Sequence, residues 1–150
     1  MLFKTKGIVL HSFPYNDKYK IVTIYTKDFG RIAYLAANTR SKKTKIPHSL
    51  LQPLSMIDLE VEHQNTREIQ RIKEAKSCFI QTQLHFNPVK NAISLFISEV
   101  LYRIIQEKEA NHTLFDFLSR SIKWLEITDS GAANFCIHIF TVFFLLQAKV

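Results

Sequence analysis

The chain contains 150 residues, of which 47 % are apolar, and its formal net charge is +7. This length allows one domain or two small ones, with enough apolar side chains to bury a core. Residues 1–80 hold 14 Lys or Arg and 7 Asp or Glu, whereas residues 81–150 hold 6 of each kind. The excess positive charge therefore lies in the first half and indicates a polyanion partner for it. A basic domain with no such partner is the alternative.

Cysteine usage and the N-terminus narrow the class of protein further. Cys78 and Cys136 lie in different segments between apolar neighbours, with no CxxC motif and no spaced Cys/His set. This pattern predicts buried free thiols rather than a disulfide, and it predicts neither a metal site nor a cofactor. The first six residues contain no apolar core of signal-peptide length, so we expect a cytoplasmic protein.

Three strands are predicted before residue 40. Residues 2–12 form the first, and a turn at residues 13–17 follows because Pro, Asn and Asp favour turns. The stretch from residue 23 to 45 is TIYTKDFGRIAYLAANTRSKKTK. Its alternating β-branched and aromatic residues predict a strand, a turn at residues 28–31, a second strand and then a basic loop.

Two further strands complete the first half. Residues 46–53 contain a proline near each end, at positions 47 and 53, and have room for one short helical turn at most. Residues 54–63 alternate apolar and acidic side chains and predict the fourth strand. Residues 67–77 predict the fifth, although the spacing of Ile69 and Ile72 also suits a helix. Five strands with a short helical element between the third and fourth are the order of an OB-fold, a five-stranded Greek-key barrel.

Beyond Cys78 the apolar period changes to three and four, which predicts helices. One helix is capped by Asn87 and runs to about Lys108, and a second is capped by Asn111 and carries its apolar stripe to Leu125. Residues 132–148 are apolar nearly all round. This run is shorter than the ~20 residues of a membrane span, so a buried helix is preferred and no membrane contact is expected.

We therefore predict an α+β protein with two domains. Residues 1–80 form a five-stranded OB-fold barrel that binds nucleic acid, and residues 81–150 form a helical domain that is incomplete at its C-terminus. The nearly all-apolar last helix has nothing in the chain to cover it. We expect a fragment, a truncated gene product or an obligate partner of another chain.

No pattern in the chain indicates catalysis or a small-molecule substrate. The six histidines are scattered, and the three glycines form no phosphate-binding loop. The acids Asp58, Glu60 and Glu62 share one face of a strand, where a solvated or salt-bridged face is preferred over a metal or acid–base site. We therefore do not expect an enzyme.

Cations and aromatic residues in the first half suit a nucleic-acid surface instead. OB-folds hold single strands with cations on the phosphates and aromatic rings on the bases. Stacking is expected of Tyr25, Phe29 and Tyr34 and less of Phe13 and Tyr15, with core packing as the alternative for each ring. A solvated loop is the alternative for the basic loop. The candidate nucleic-acid-binding residues are Lys4, Lys6, Lys20, Tyr25, Arg31, Tyr34, Arg40, Lys42, Lys43 and Lys45.

Residues 4–43, KTKGIVLHSFPYNDKYKIVTIYTKDFGRIAYLAANTRSKK, resemble the N-terminus of the RecO family of bacterial DNA repair proteins. The family pattern is G-I-V-L at residues 7–10, a K-I-V-T segment at residues 20–26, Gly30–Arg31 and the basic loop. The L-Q-P motif at residues 51–53 and the L-F-D-F-L motif at residues 114–118 also fit. The resemblance covers most of the chain.

The resemblance implies an OB-fold joined to a helical domain and a non-enzymatic, nucleoid-associated mediator of recombinational repair. Such proteins bind single- and double-stranded DNA, anneal complementary strands, and work with RecR to load RecA onto strands coated by single-stranded DNA-binding protein. The family's helical domain contacts the acidic tail of that coating protein. This chain ends before the family's further helices and lacks the zinc-binding cysteines of some members.

Two other functions remain open at this stage. One is an RNA-binding OB module, and the other is a protein-interaction scaffold that uses the apolar last helix.

Overall fold

A computed structural model describes residues 1–37 and 46–128 of the chain. It contains five strands: β1 (Leu2–Pro14), β2 (Tyr19–Thr26), β3 (Gly30–Ala37), β4 (Met56–Glu62) and β5 (Ile69–Ser77). They close into a barrel in the order β1-β2-β3-β5-β4. Every neighbouring pair is antiparallel except β3 and β5, which pair in parallel over three residues. The predicted α+β class with a five-stranded OB-type barrel is confirmed.

Strand alternation decides which side chains fill the barrel, because successive residues of a strand point to opposite faces. In β2 and β3, Val22, Ile24 and Tyr34 point inward and pack with residues of β4 and β5. In β1 the register slips between Val9 and His11, so Leu10 is the extra residue of a bulge. Val9 lies in the barrel core, whereas its neighbours on both sides pack outside it.

The predicted turn between the second and third strands is present. The hydroxyl of Thr26 donates to the carbonyl of Gly30 at 2.9 Å and accepts the N–H of Phe29 at 3.0 Å. Gly30 has a φ of +69°, a left-handed conformation that glycine adopts without the steric cost of a Cβ. The preceding turn is held by the side chain of Asn16, which accepts from the N–H groups of Lys18 and Tyr19.

The sequence stretches that left alternatives open are now assigned. Residues 67–77 contain the strand β5, not a helix, and the segment between the two prolines forms a 3₁₀ turn at His48–Leu51. Three helices follow: α1 (Thr82–Phe86), α2 (Pro88–Ile104) and α3 (His112–Ile127). Helix α2 ends four residues before the predicted Lys108, and α1 was not predicted.

Both predicted helix caps are present. The side chain of Asn87 accepts from the N–H groups of Val89 and Lys90, and that of Asn111 accepts from Leu114 N–H at 3.0 Å. Helix α1 is held differently, by the buried carboxylate of Glu126 on α3. Its two oxygens accept the N–H groups of Gln83 at 2.9 Å and Leu84 at 2.8 Å.

The helices pack on the outside of the barrel and share a core with it. This outer core joins Ile8, Leu10 and Tyr25 of the barrel to the apolar stripes of the three helices. Cys78 lies at its edge as a half-buried free thiol, less buried than predicted, and burial raises the pKa of this thiol. Cys136 and the predicted helix at 132–148 lie outside the described residues. Within the two described stretches, no helix is long and apolar enough to cross a membrane.

Candidate nucleic-acid interface

The outward face of β2 and β3 carries a groove of about 580 Å³. Its base contains Ile21, Thr23 and Ala33, whose side chains alternate with the inward residues of the same strands. One wall is the loop between β4 and β5, and the other is formed by the end of α2 and the segment after it. OB-folds bind oligonucleotides on this strand face and with the loop that joins the last two strands. The named members of the groove are Phe13, Ile21, Thr23, Arg31, Ala33, His63, Arg67, Glu68, Gln70, Tyr102 and Lys108.

The loop wall of the groove is held in one conformation by a buried glutamine. The amide nitrogen of Gln70 donates to the carbonyls of Gln64 at 2.8 Å and Arg67 at 2.7 Å, while its amide oxygen accepts from Gln64 N–H at 2.9 Å. Arg67 projects from this loop and is exposed. Its ion pair with Glu62 is long, at 3.9 Å, and half-exposed, so it holds the guanidinium only weakly. A preorganised loop thus presents a cation at the groove.

Exposed aromatic side chains lie at the end of the barrel where β1 meets β2. Phe13 is 41 % exposed, Tyr15 60 % and Tyr19 39 %. Tyr19 has the outward phase of Ile21 and Thr23, and it lies opposite Ala37, the last described residue before the segment that contains the basic loop. These rings are available to a base, whereas a buried ring is not.

The two tyrosines predicted to stack on bases are in the core. Tyr34 is 0 % exposed and points into the barrel, and Tyr25 is 1 % exposed because α3 covers it, with Phe115 at 6.1 Å between ring centroids. Burial raises the pKa of both phenols, that of Tyr25 to about 12 with a contribution from Glu107. The expectation that these rings stack on bases conflicts with their positions. Phe29 is half-buried and stacks on His63, with 4.4 Å between centroids.

Arg31 lies in the groove, but its guanidinium is engaged with α2. Its Nη1 donates to the carbonyls of Tyr102 and, at 2.8 Å, Ile105, and its Cζ lies 4.5 Å from the centre of the Tyr102 ring. The backbone N–H of Arg31 also donates to the carbonyl of Glu107 at 3.0 Å. A cation at the C-terminal end of a helix satisfies carbonyls that have no partner within the helix. Arg31 therefore joins the barrel to the helices.

Lys4 and Lys6 lie on a different face, in a mixed-charge cleft. The register of β1 and β4 places Lys4 opposite Glu60 and Lys6 opposite Asp58, so the charges are cross-strand neighbours. The cleft is lined by four cations and four acids, which are Lys4, Lys6, Lys27, Lys76, Asp28, Asp58, Glu60 and Glu74. The local charge balances, in agreement with the expectation of a solvated or paired acidic face.

Lys20 is turned away from the groove. It shares the inward phase of Val22 and Ile24 and is largely buried, and desolvation lowers the pKa of its amine. Arg40, Lys42, Lys43 and Lys45 lie outside the described residues. The ten predicted residues are therefore not brought together into one surface by the part of the chain that the structure describes.

The groove contains residues that the sequence patterns did not single out. Arg67, Tyr102 and Lys108 belong to this group, and Tyr19 is a further exposed ring outside the groove lining. Tyr19 continues the alternation of Ile21 and Thr23, so a second strand predicted to begin directly after the Asn16 turn would have given Tyr19 its outward phase. The approach of Tyr102 and Lys108 to the barrel has no signal in the local sequence, because it depends on how the helices pack.

Residues 1–80 match the family model described as recombination protein O N terminal, and residues 85–147 match the one described as recombination protein O C terminal. The chain belongs to the RecO family. This confirms the resemblance seen in the sequence. Among the described residues, no group of three or more His, Cys, Asp or Glu side chains is placed to hold a metal ion.

Curated relatives agree with the RecO assignment. The chain is 42 % identical over 142 residues to the DNA repair protein RecO of Azobacteroides pseudotrichonymphae, covering 95 % of this chain and 58 % of that protein. It is 44 % identical over 135 residues to that of Phocaeicola vulgatus, covering 90 % and 56 %. For Porphyromonas gingivalis the values are 37 % over 148 residues, covering 97 % and 60 %. The chain thus spans somewhat more than half the length of these RecO proteins.

Proposed function

We propose that this chain is the barrel and adjoining helical part of a non-enzymatic recombination mediator that binds DNA through the groove and the basic loop. The observation that carries the proposal is the groove on the β2–β3 face, with the cations Arg67 and Lys108 on its two walls and exposed aromatic rings beside it. Membership of the RecO family supports DNA as the polyanion.

Charge neutralisation and stacking give the mechanism. Lys and Arg side chains neutralise backbone phosphates, so two complementary strands approach one another with less repulsion. Phe13, Tyr15 and Tyr19 hold bases unstacked and available for pairing. We propose that the basic loop adds to the same surface, because Ala37, the last described residue before that segment, pairs with Tyr19. Annealing of single strands and binding of duplex through phosphates both follow from such a surface.

Partners are proposed from the family alone. We propose that the complete protein acts with RecR and with single-stranded DNA-binding protein, whose acidic tail meets the helical part, to load the recombinase onto coated strands. Co-elution of this chain with each purified partner, with and without DNA, tests each contact. Failure to co-elute in both conditions would remove that partner from the proposal for this chain.

Anisotropy of a labelled single strand across a salt titration tests DNA binding. Four phosphate contacts by the basic loop predict a slope of log affinity against log salt near −3, at about 0.7 per contact. Reversing Arg40, Lys42 and Lys43 to Glu should weaken binding to all sequences alike and flatten that slope. Reversing Lys73, Arg120 and Lys123 to Glu is the matched control, because the same charge change falls on exposed side chains that do not line the groove.

Three results would overturn the proposal. Equal losses in the two triple variants would mean that net charge, not a defined surface, causes binding. Tighter binding to RNA than to DNA of the same sequence would favour an RNA-binding module, and stable protein association without salt-dependent DNA binding would favour a scaffold.

A further inference from the structure

The end of α2 is held against the groove by contacts from two strands. The Tyr102 ring stacks on His11 of β1, with 4.4 Å between centroids and 21° between planes. On β3, Arg31 contacts the same ring and donates to the carbonyls of Tyr102 and Ile105, and its backbone N–H donates to Glu107. These contacts fix the direction in which the chain leaves α2.

That direction places Lys108 at the groove. Lys108 is exposed and lines the groove together with Tyr102, although both belong to the helical half of the chain. Arg67 lies on the opposite wall, on the loop that Gln70 holds rigid. Glu68, the residue after Arg67 on the same loop, also lines the groove, so an acid lies beside one of the two cations and the wall formed by Lys108 has none among the groove-lining residues.

The size of the groove limits what it can hold. About 580 Å³ lies within the roughly 300–1,000 Å³ range of clefts that enclose small ligands, so a short run of unpaired nucleotides fits. The bases of an unpaired strand can contact the outward side chains of β2 and β3, whereas the bases of a duplex are paired and stacked within it. Paired DNA therefore offers this groove mainly its backbone, whereas an unpaired strand can also place bases between Arg67 and Lys108.

The geometry points to a composite single-strand site, in which the helical half supplies one wall. Lys108 contacts a backbone phosphate of the unpaired strand, and Arg31 is a positioning residue that keeps this wall against the barrel. The inference rests on the proposed function and adds that the barrel face alone is an incomplete site. It also assigns Arg31 to the wall rather than to the DNA.

The first test compares Lys108→Glu with Lys123→Glu in the full chain. Both reverse one exposed lysine of the helical half, but Lys123 lies on α3 over the Phe79 ring, outside the groove. Loss of one phosphate contact should lower single-strand affinity roughly tenfold at low salt and reduce the magnitude of the salt slope by about 0.7. Duplex affinity should fall less, and Lys123→Glu should bind like wild type.

The positioning role of Arg31 is tested by measuring whether its substitution changes the effect of Lys108→Glu on affinity. A general loss of stability caused by the Arg31 substitution would not change that effect selectively. In an Arg31→Ala background that retains its helical circular dichroism, Lys108→Glu should cost less than twofold, whereas Arg67→Glu should keep its full effect. If Arg31→Ala does not fold, the comparison is made with Arg31→Lys, which keeps the charge but loses the paired geometry.

The outcomes separate this inference from the proposed function. If the wild type binds DNA and Arg67→Glu weakens this binding but Lys108→Glu does not, the composite site is wrong and the proposed function stands. Equal loss of single-strand and duplex affinity in Lys108→Glu would also overturn the composite site. Absence of binding by folded wild type would overturn both.

Discussion

Replacing Gly30 tests the contact between barrel and helices most directly. A Cβ at this position would lie 2.5 Å from the carbonyl oxygen of Glu109 and 2.8 Å from that of Glu107, both of which are backbone atoms. The φ of +69° adds about 1–2 kcal/mol for Ala, which has a Cβ and no side chain that stabilises the left-handed conformation. Moving the backbone away also breaks the hydrogen bond from Arg31 N–H to Glu107, which contributes about 1 kcal/mol. We expect Gly30→Ala to lower the free energy of unfolding by about 2–4 kcal/mol.

Urea unfolding monitored by fluorescence of the single tryptophan, Trp124 on α3, measures this change. At a slope of about 2 kcal/mol per molar, the midpoint should fall by roughly 1–2 M. Gly30→Asn separates the two causes, because Asn tolerates a positive φ but carries the same Cβ. We expect Asn to be nearly as destabilising as Ala, and Lys27→Ala in the same turn to be close to wild type. A wild-type midpoint for Gly30→Ala would contradict the prediction of both a steric clash and a φ cost. If only Gly30→Asn had a wild-type midpoint, the positive φ would be the whole cause of the destabilisation in Gly30→Ala.

Two further predictions concern buried groups. Glu126→Ala should lower the free energy of unfolding in urea by about 3 kcal/mol, because it removes the acceptor of two N–H groups at the start of α1. Glu126→Gln should recover part of that loss. An unchanged unfolding midpoint for Glu126→Ala would contradict this prediction. The phenol of Tyr25 ionises near pH 10 when unfolded but has a pKa of about 12 when folded, so its contribution is complete below pH 10 and is lost as the pH rises towards 12. The loss of stability amounts to about 3 kcal/mol. Urea unfolding midpoints measured from pH 9 to 11.5 should therefore fall less steeply with pH in Tyr25→Phe than in the wild type. Identical falls in the two proteins would mean that this phenol does not contribute to the pH dependence of stability.

Local patterns were sufficient to predict the five strands and the starts of α2 and α3. The turn at Asp28 and Gly30 and the caps Asn87 and Asn111 each depend on one side chain and its adjacent backbone. Such features are complete within a few residues of sequence. The five strands likewise follow from short alternating runs, and the β-branched and aromatic content of β2 and β3 gave a clear signal.

The site was harder to predict because it depends on which faces the helices cover. Tyr25 does point out of the barrel, as a stacking residue must, but α3 packs over it. Lys4 and Lys6 are exposed as predicted, yet their cross-strand neighbours on β4 are acids. Arg31 was identified as a cation beside a turn, and only the end of α2 shows what it binds. Helix α1 escaped detection because its N–H groups are satisfied by Glu126, far away in sequence.

Strand β1 is a shared boundary, since Val9 faces the barrel interior while Ile8 and Leu10 face the helices. Neither half can therefore unfold without exposing apolar side chains of the other. A fragment of residues 1–80 would expose the apolar side chains of Ile8, Leu10 and Tyr25 to water. We expect such a fragment to self-associate. The two family models match separate stretches of the chain, whereas one hydrophobic core contains side chains from both stretches.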